Sequence, residues 1–232
     1  MLLSVPGKVL YRVILERIKK AVDAKLRDEQ AGFRPNRSCI DQIASLRIIV
    51  EQSIEWNTSL YINFVDYEKA FNSLDRATLW KLLRHYGVPQ KITSLIKNTY
   101  EDMSCRVRHE GQMTDSFRIK TGVRQGCLLS PLLFLLAIDW VMKETTKEKI
   151  GIQWTLWKQL EDLDFADDLA LLSHSQLQMQ TKTDKLYKIS AQMGLNIHNG
   201  KTKIMRINAT QGSGPIVLRG TPLEEVDSYI TW

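Results

Sequence analysis

Two adjacent carboxylates, Asp167 and Asp168, lie in the run Leu163-Asp164-Phe165-Ala166-Asp167-Asp168-Leu169-Ala170-Leu171-Leu172, with apolar residues on either side. The apolar stretches are too short and too close together for a helix, so the pattern predicts strand, turn, strand with the acids at the tip. Like charges this close repel. Both stay ionised near neutrality only where a cation faces them, and a divalent metal holding substrate phosphates is one such cation. Taken alone, the pair reads more simply as a solvated turn, because acidic side chains favour turns through local hydrogen bonds. A second strand-like run, Leu60-Tyr61-Ile62-Asn63-Phe64-Val65-Asp66, also ends on a carboxylate where its apolar character stops. Three acids from two strand ends can converge on one pair of metals.

Other elements must position these acids. Apolar residues at Val9, Leu10, Val13, Ile14, Ile18 and Val22 recur at helical spacing and predict an amphipathic helix over 8–26. The loop Gln30-Ala31-Gly32-Phe33-Arg34-Pro35-Asn36-Arg37-Ser38 follows. Its arginines, Arg34 and Arg37, are either exposed and satisfying loop carbonyls or fork-shaped donors to phosphate. Ser38, with Asp41 three residues on, predicts the start of a helix reaching about Trp56. Helices are also predicted over 76–85, stopped by Gly87 and Pro89, and over 90–101, followed by a hairpin across 105–120. The loop Thr121-Gly122-Val123-Arg124-Gln125-Gly126 leads to Ser130 and Pro131, an N-terminus for a helix apolar all round its first turns and hence buried. Such an N-terminus with a Gly-rich approach suits an anion or a base edge. A further amphipathic helix is predicted over 176–193, ending at Gly194. The basic loop His198-Asn199-Gly200-Lys201-Thr202-Lys203 reads as an ordinary hairpin between short strands, and Val226–Trp232 as a terminal strand.

Composition limits the class. With 232 residues and 44% hydrophobic content, the chain can bury a sizeable core. Lys and Arg number 32 against 26 acidic residues, a net charge of +6 that suits a polyanionic partner without requiring one. Cys39, Cys105 and Cys127 fit no disulfide or metal spacing, so a reducing, intracellular setting is expected. Neither a targeting leader nor a membrane-spanning run is read, so no membrane partner is expected.

Taken in order, the motifs resemble the reverse transcriptases of non-LTR retrotransposons. Phe64-Val65-Asp66-Tyr67-Glu68-Lys69-Ala70-Phe71 is similar to motif A of that family, Gly122 through Phe134 to motif B, Phe165-Ala166-Asp167-Asp168 to motif C, and Gly194-Leu195 through Lys201-Thr202 to motif D. Gln30 through Pro35, with Arg37-Ser38, matches a fingers segment.

The resemblance implies an α+β right-hand polymerase palm, a small antiparallel sheet backed by helices. Partial fingers are expected over 1–58, the palm over 59–207, and strands leading toward a thumb, itself lacking, over 208–232. It implies RNA-directed DNA synthesis, with an RNA template, a DNA primer and dNTP as partners. Cytoplasm and nucleus are the expected compartments. Two Mg²⁺ ions about 3.5–4 Å apart, with Mn²⁺ as a possible substitute, would be held by Asp66, Asp167 and Asp168. Phe71 would be the steric gate against a ribose 2′-hydroxyl, although outside the motif it reads as a core residue. Gln125 and Gly126 would line the nucleotide site, Arg34, Arg37 and Arg124 would meet nucleic acid, and Lys201 would donate a proton to pyrophosphate. The chain departs from the family pattern at Asn72 (usually Asp), Phe165 (more often Tyr) and His198 (usually Asn), and Met1 falls after an upstream Arg-Pro stretch. A second expectation is therefore a truncated remnant that binds nucleic acid without turnover. A two-metal nuclease shares the acids but leaves motif B unexplained.

Overall fold

The structure is a computed structural model that describes residues 4–209 and 214–228. Helix α1 (Val5–Asp23) leads to α2 (Cys39–Glu55), then to β1 (Leu60–Val65) and β2 (Tyr67–Glu68). The one-turn α3 (Ala70–Ser73), α4 (Arg76–His85) and α5 (Gln90–Tyr100) follow. Two nested ladders come next: β3 (Ser104–Cys105) pairs with β6 (Phe117–Arg118) outside the pair of β4 (Arg108–His109) and β5 (Gln112–Met113). Beyond α6 (Ser130–Thr145) lie β7 (Ile152–Gln153), β8 (Gln159–Leu160), β9 (Asp162–Phe165), β10 (Asp168–Ser173) and α7 (Gln176–Gln192). The chain continues with β11 (Asn196–Ile197), β12 (Lys203–Ile207), β13 (Val217–Leu218), β14 (Thr221–Pro222) and β15 (Glu224–Glu225). Among the described residues no helix is long and apolar enough to cross a membrane.

The chain divides into two compact units, Met1–Lys25 with Phe71–Ala137, and Leu26–Ala70 with Ile138–Trp232. The second holds a five-stranded sheet of order β15-β12-β1-β10-β9. All six residues of β1 are buried, and because successive side chains point to opposite faces, a strand covered on both sides must be apolar at nearly every position, Asn63 being the exception. Leu60, Ile62 and Phe64 join Ala170, Leu172 and Ile49 of α2 in one apolar cluster. Asn63, one step out of phase, donates to Thr183 Oγ1 of α7 at 2.9 Å. The sheet is thus covered on both faces. Its buried Lys182, also from α7, meets Glu161 Oε2 at 2.6 Å and the carbonyls of Glu161 and Leu172.

In the first unit Asp75 caps α4 by accepting from Thr78 N at 2.7 Å, and the helix ends at Gly87 with φ +84°. Arg76 then clamps the approach to α6: its guanidinium donates to the carbonyls of Ile119, Thr121 and Gly122 at 2.8, 2.9 and 2.8 Å. Gly122, at φ +74°, lies so close to the 71–72 segment that a Cβ would sit 2.5 Å from the Phe71 carbonyl. Leu133 through Ile138 of α6 are all at most 1% exposed, as an apolar helix of this kind requires.

Two local expectations are corrected. The 198–203 loop does not close a hairpin: β11 pairs with β2, whereas β12 pairs with β1, because each short strand finds its hydrogen bonds outside the pair. Among the described residues the last pairing strand is Glu224–Glu225, parallel to β12, with Val226 N donating to Ile204 O at 2.9 Å. Residues 229–232 of the expected terminal strand lie outside the described residues.

Candidate active site

The three acids read from the sequence belong to one unit and one sheet. Strands β1 and β10 are antiparallel in the register Val65↔Leu169, so the next residues outward are Asp66 and Asp168. Asp168 opens β10 opposite Phe165, the last residue of β9, leaving Ala166 and Asp167 as a two-residue turn. Ala166 carries φ +59°, a left-handed conformation that glycine normally supplies in such turns. The turn therefore needs support from outside itself.

That support comes from residues 27–32. Gln30 forms a parallel bridge with Asp164, Ala31 N donates to Asp164 O at 2.9 Å, and Asp164 N donates to Glu29 O at 3.2 Å. The fully buried Gln30 side chain closes on the turn: Oε1 accepts from Ala166 N at 2.9 Å and Gly32 N at 2.7 Å, while Nε2 donates to Ala166 O at 3.2 Å. Arg27 lies below, where its guanidinium meets Asp162 at 2.6 Å and also pairs with Asp164. Asp139 of α6 accepts from Arg27 N at 2.8 Å and pairs with Lys143 at 2.8 Å. Burial opposes the Arg27 cation, but Asp162 and Asp164 outweigh it and hold its pKa above the ordinary value. Burial, reinforced by Asp162, pushes the Asp164 carboxyl well above its usual range against the pull of Arg27.

The Asp66 neighbourhood is built by motif D. His198 N donates to Asp66 O at 2.8 Å, and Thr202 N donates to His198 O at 2.9 Å. The loop so folded leaves Lys201 Nζ 3.8 Å from Asp66 Oδ1. That oxygen is screened from water and accepts no hydrogen bond among the described residues. Burial raises the Asp167 carboxyl, with Asp66 adding to the effect. Asp168 is pushed up to about 6, by burial first and then by Asp167 and Asp66. Asp66 thus raises both acids of the hairpin, an effect that a cation beside them would oppose.

Among the described residues no three His, Cys, Asp or Glu side chains form a cluster able to hold a metal ion unaided. Mg²⁺ does not require one, since one or two carboxylates with phosphate oxygens and water complete its octahedron. Hard oxygen donors, a screened Asp66 oxygen without a donor and mutual repulsion among the acids fit such an ion.

Of the other candidates, Phe71, Arg124, Gln125 and Gly126 belong to the first unit, and Arg34 and Arg37 to the second. Phe71 is half-buried, one face stacked on Phe134 with centroids 4.3 Å apart. Gln125 and Gly126 are exposed between the buried anchors Val123 and Cys127. Gln125 and Arg124 line a cavity of about 360 Å³ with Met103, Cys105 and Thr121. The Arg124 guanidinium is engaged within its unit, by Tyr11 Oη at 3.1 Å, the Thr99 carbonyl and the Tyr100 ring. Arg34 donates to the carbonyls of Arg27 and Gln30, and Arg37 to Asp28 Oδ1 at 3.0 Å, which favours the carbonyl-satisfying reading of Arg34. Sequence reasoning passed over Gln30, Gly32, Arg27, Asp139, Asp162 and Asp164. The signal available was a pair of acids alternating inside a strand, and an acid, Asp139, directly after the apolar first turns of a helix.

Residues 1–223 match the family described as reverse transcriptase (RNA-dependent DNA polymerase). The chain is 30% identical over 205 residues to the Retrovirus-related Pol polyprotein from type-2 retrotransposable element R2DM of Drosophila melanogaster, covering 86% of the chain and 19% of that protein. It is 23% identical over 225 residues to the corresponding polyprotein from type-1 retrotransposable element R2 of Popillia japonica, covering 96% of the chain and 31% of that protein. It therefore spans less than a third of the length of either relative. Among solved structures, apo telomerase from Candida tropicalis truncated from its C-terminal domain matches with TM-score 0.61 at 18% identity, over 89% of this chain and 41% of that one. Telomerase of the same species with a fragment of telomeric RNA matches with TM-score 0.65 at 14% identity, over 87% and 34%. At these identities the likeness concerns the fold, which is that of a polymerase palm. With the family pattern matched over nearly its whole length, the chain belongs to the reverse transcriptase (RNA-dependent DNA polymerase) family, of the kind found in non-LTR retrotransposon Pol polyproteins.

Proposed function

We propose that this domain adds deoxynucleotides to a primer 3′-hydroxyl on an RNA template by Mg²⁺-dependent nucleotidyl transfer. The observation that supports the reading is the strand register, which sets Asp66 opposite Asp168 just beyond the last β1–β10 pair, with Asp167 in the adjoining turn. Mg²⁺ bound there would neutralise charge on the phosphates and make the hydroxyl a better nucleophile. Asp66, Asp167 and Asp168 would hold it. Because phosphoryl transfer asks little covalent work of a protein, the carboxylates act by position and charge. Lys201, exposed and poised beside Asp66, would give a proton to the departing pyrophosphate. In the first unit, Gln125 and Gly126 would contact the nucleotide, and the Phe71 ring, fixed on one face by Phe134, would exclude a 2′-hydroxyl.

The names fingers for 1–58, palm for 59–207 and the approach to a thumb for 208–232 follow motif positions and belong to the same proposal. Arg34, Arg37 and Arg124 are proposed to lie along the nucleic acid, with their loops rather than their already engaged guanidinium groups making the contacts. The test is primer extension on poly(rA) with oligo(dT), dTTP and Mg²⁺, using a protein that includes this whole chain. Extension that is lost in Asp167→Ala supports the reading. Extension undiminished in that variant, or binding of the hybrid with no extension by the unaltered protein, overturns it, the second outcome favouring a non-catalytic remnant.

A further inference from the structure

We infer that Gln30 is a positioning residue for Asp167 and Asp168, acting as a side-chain clamp on the backbone of the turn that carries them. The inference rests on the proposed metal-binding role of those acids, but its first observable does not.

The turn Ala166-Asp167 is strained at its first position, where a residue with a Cβ takes φ +59°. A two-residue turn held only by the terminal pair Asp168↔Phe165 would be free to relax toward an ordinary backbone conformation, and the two carboxylates would then part from Asp66. Gln30 opposes that relaxation at both ends of the strained residue. Its amide holds the Ala166 N–H and the Ala166 carbonyl together, a two-point contact between one side chain and one backbone unit 136 residues away. The side chain is fully buried, so water does not substitute for it.

Gln30 is itself held. Its Oε1 also accepts from Gly32 N, its carbonyl accepts from Arg34, and its backbone bridges to Asp164. Gly32 completes the device by absence of a side chain, since a Cβ there would fall 2.1 Å from Ala166 N. Neither Gln30 nor Gly32 touches the reacting groups. What they supply is a fixed tip, and outer groups that orient metal ligands typically govern about ten- to a hundredfold in metal affinity.

The chemistry of glutamine suits the task. One planar group must offer an acceptor to two N–H donors and a donor to one carbonyl, and a neutral amide does so without placing a charge beside Asp167 and Asp168. Gln30→Leu removes both functions at similar size. Gln30→Glu keeps the accepting oxygen and loses the donor.

The experiment compares the full chain with both variants by amide hydrogen exchange and by Mn²⁺ titration followed by electron paramagnetic resonance. In Gln30→Leu, exchange across 163–169 is expected to quicken about tenfold while 60–65 and 203–207 of the same sheet keep their protection. Mn²⁺ affinity should fall about tenfold. Gln30→Glu, retaining the acceptor, should recover part of the protection at the Ala166 amide. Unchanged exchange at the tip in Gln30→Leu overturns the inference, and so does uniform loosening of the whole sheet, which would make Gln30 a packing residue. If Gln30→Leu does not fold, Gln30→Glu decides by the Ala166 amide alone: faster exchange there with the rest of the sheet intact supports the clamp, and no local change refutes it. A wild-type chain that binds no Mn²⁺ refutes the metal role of the acids, whereas the exchange comparison still decides the clamp.

Discussion

Asp66 stands across from Asp168, one residue beyond the last β1–β10 pair, Val65 and Leu169. The juxtaposition brings together acids about a hundred residues apart in sequence, and it does so with the same backbone hydrogen bonds that build the sheet. Its electrostatic consequence falls on the hairpin, where Asp66 raises both Asp167 and Asp168, and Asp167 adds to the effect on Asp168.

For Asp168 the sign of that cost is definite. Its folded-state pKa of about 6 exceeds the ordinary aspartate value of about 3.9, so between these limits the folded chain keeps a proton that the unfolded chain releases. Stability from this group is full below about pH 4 and is lost as pH rises through about 6. The side chain is half-buried, so after discounting for solvent the loss amounts to about 1 kcal/mol. In EDTA, Asp168→Asn should raise the urea midpoint at pH 7.5 and leave it unchanged at pH 4. Binding of Mn²⁺, which requires the carboxylate, should weaken below about pH 6. Equal midpoints for the two chains at pH 7.5 would contradict the assignment.

Arg27 joins three otherwise buried carboxylates under the hairpin, at Asp139, Asp162 and Asp164. Arg27→Met leaves those acids without their shared cation and should destabilise the chain by about 3–5 kcal/mol. Arg37→Ala, which frees only an exposed contact to Asp28, should cost less than about 1 kcal/mol. Urea denaturation of both variants checks the contrast, and similar losses would show that the Arg27 cluster is not structural.

Phe71 makes a dual prediction. Truncation to Ala removes the stack on Phe134 and should cost about 1–2 kcal/mol, less than a fully buried ring. It should also lower discrimination against ribonucleotides by at least about tenfold in primer extension. Loss of stability with unchanged sugar selection would make Phe71 a core residue alone.

Much of this arrangement was legible in the sequence because it rests on short-range pattern. β1 is a largely apolar run followed by an acid, the β9–β10 hairpin carries adjacent acids at its tip, and Ser38 caps its helix as its type predicts. The helix of 130–145 declared its burial by having no polar face in its first turns. What escaped depends on contacts between distant residues. Nothing near Arg27 indicates that its partners lie 135 and 137 positions away, and Gln30 reads as an ordinary loop residue until Ala166 is beside it. The 198–203 loop was misjudged for a related reason: β11 and β12 are adjacent in sequence but bond to β2 and β1. Local pattern identifies a strand and leaves its partner open.

The most direct measurement is a Mn²⁺ titration of the full chain with dTTP present, followed by electron paramagnetic resonance, for the wild type and for Asp66→Asn, Asp167→Asn and Asp168→Asn, with circular dichroism establishing that each is folded. Bound Mn²⁺ in the wild type, with affinity reduced at least about tenfold by each folded variant, is the expected result. Wild-type affinity in folded Asp66→Asn and Asp167→Asn would contradict a metal site shared by the ends of β1 and the β9–β10 hairpin.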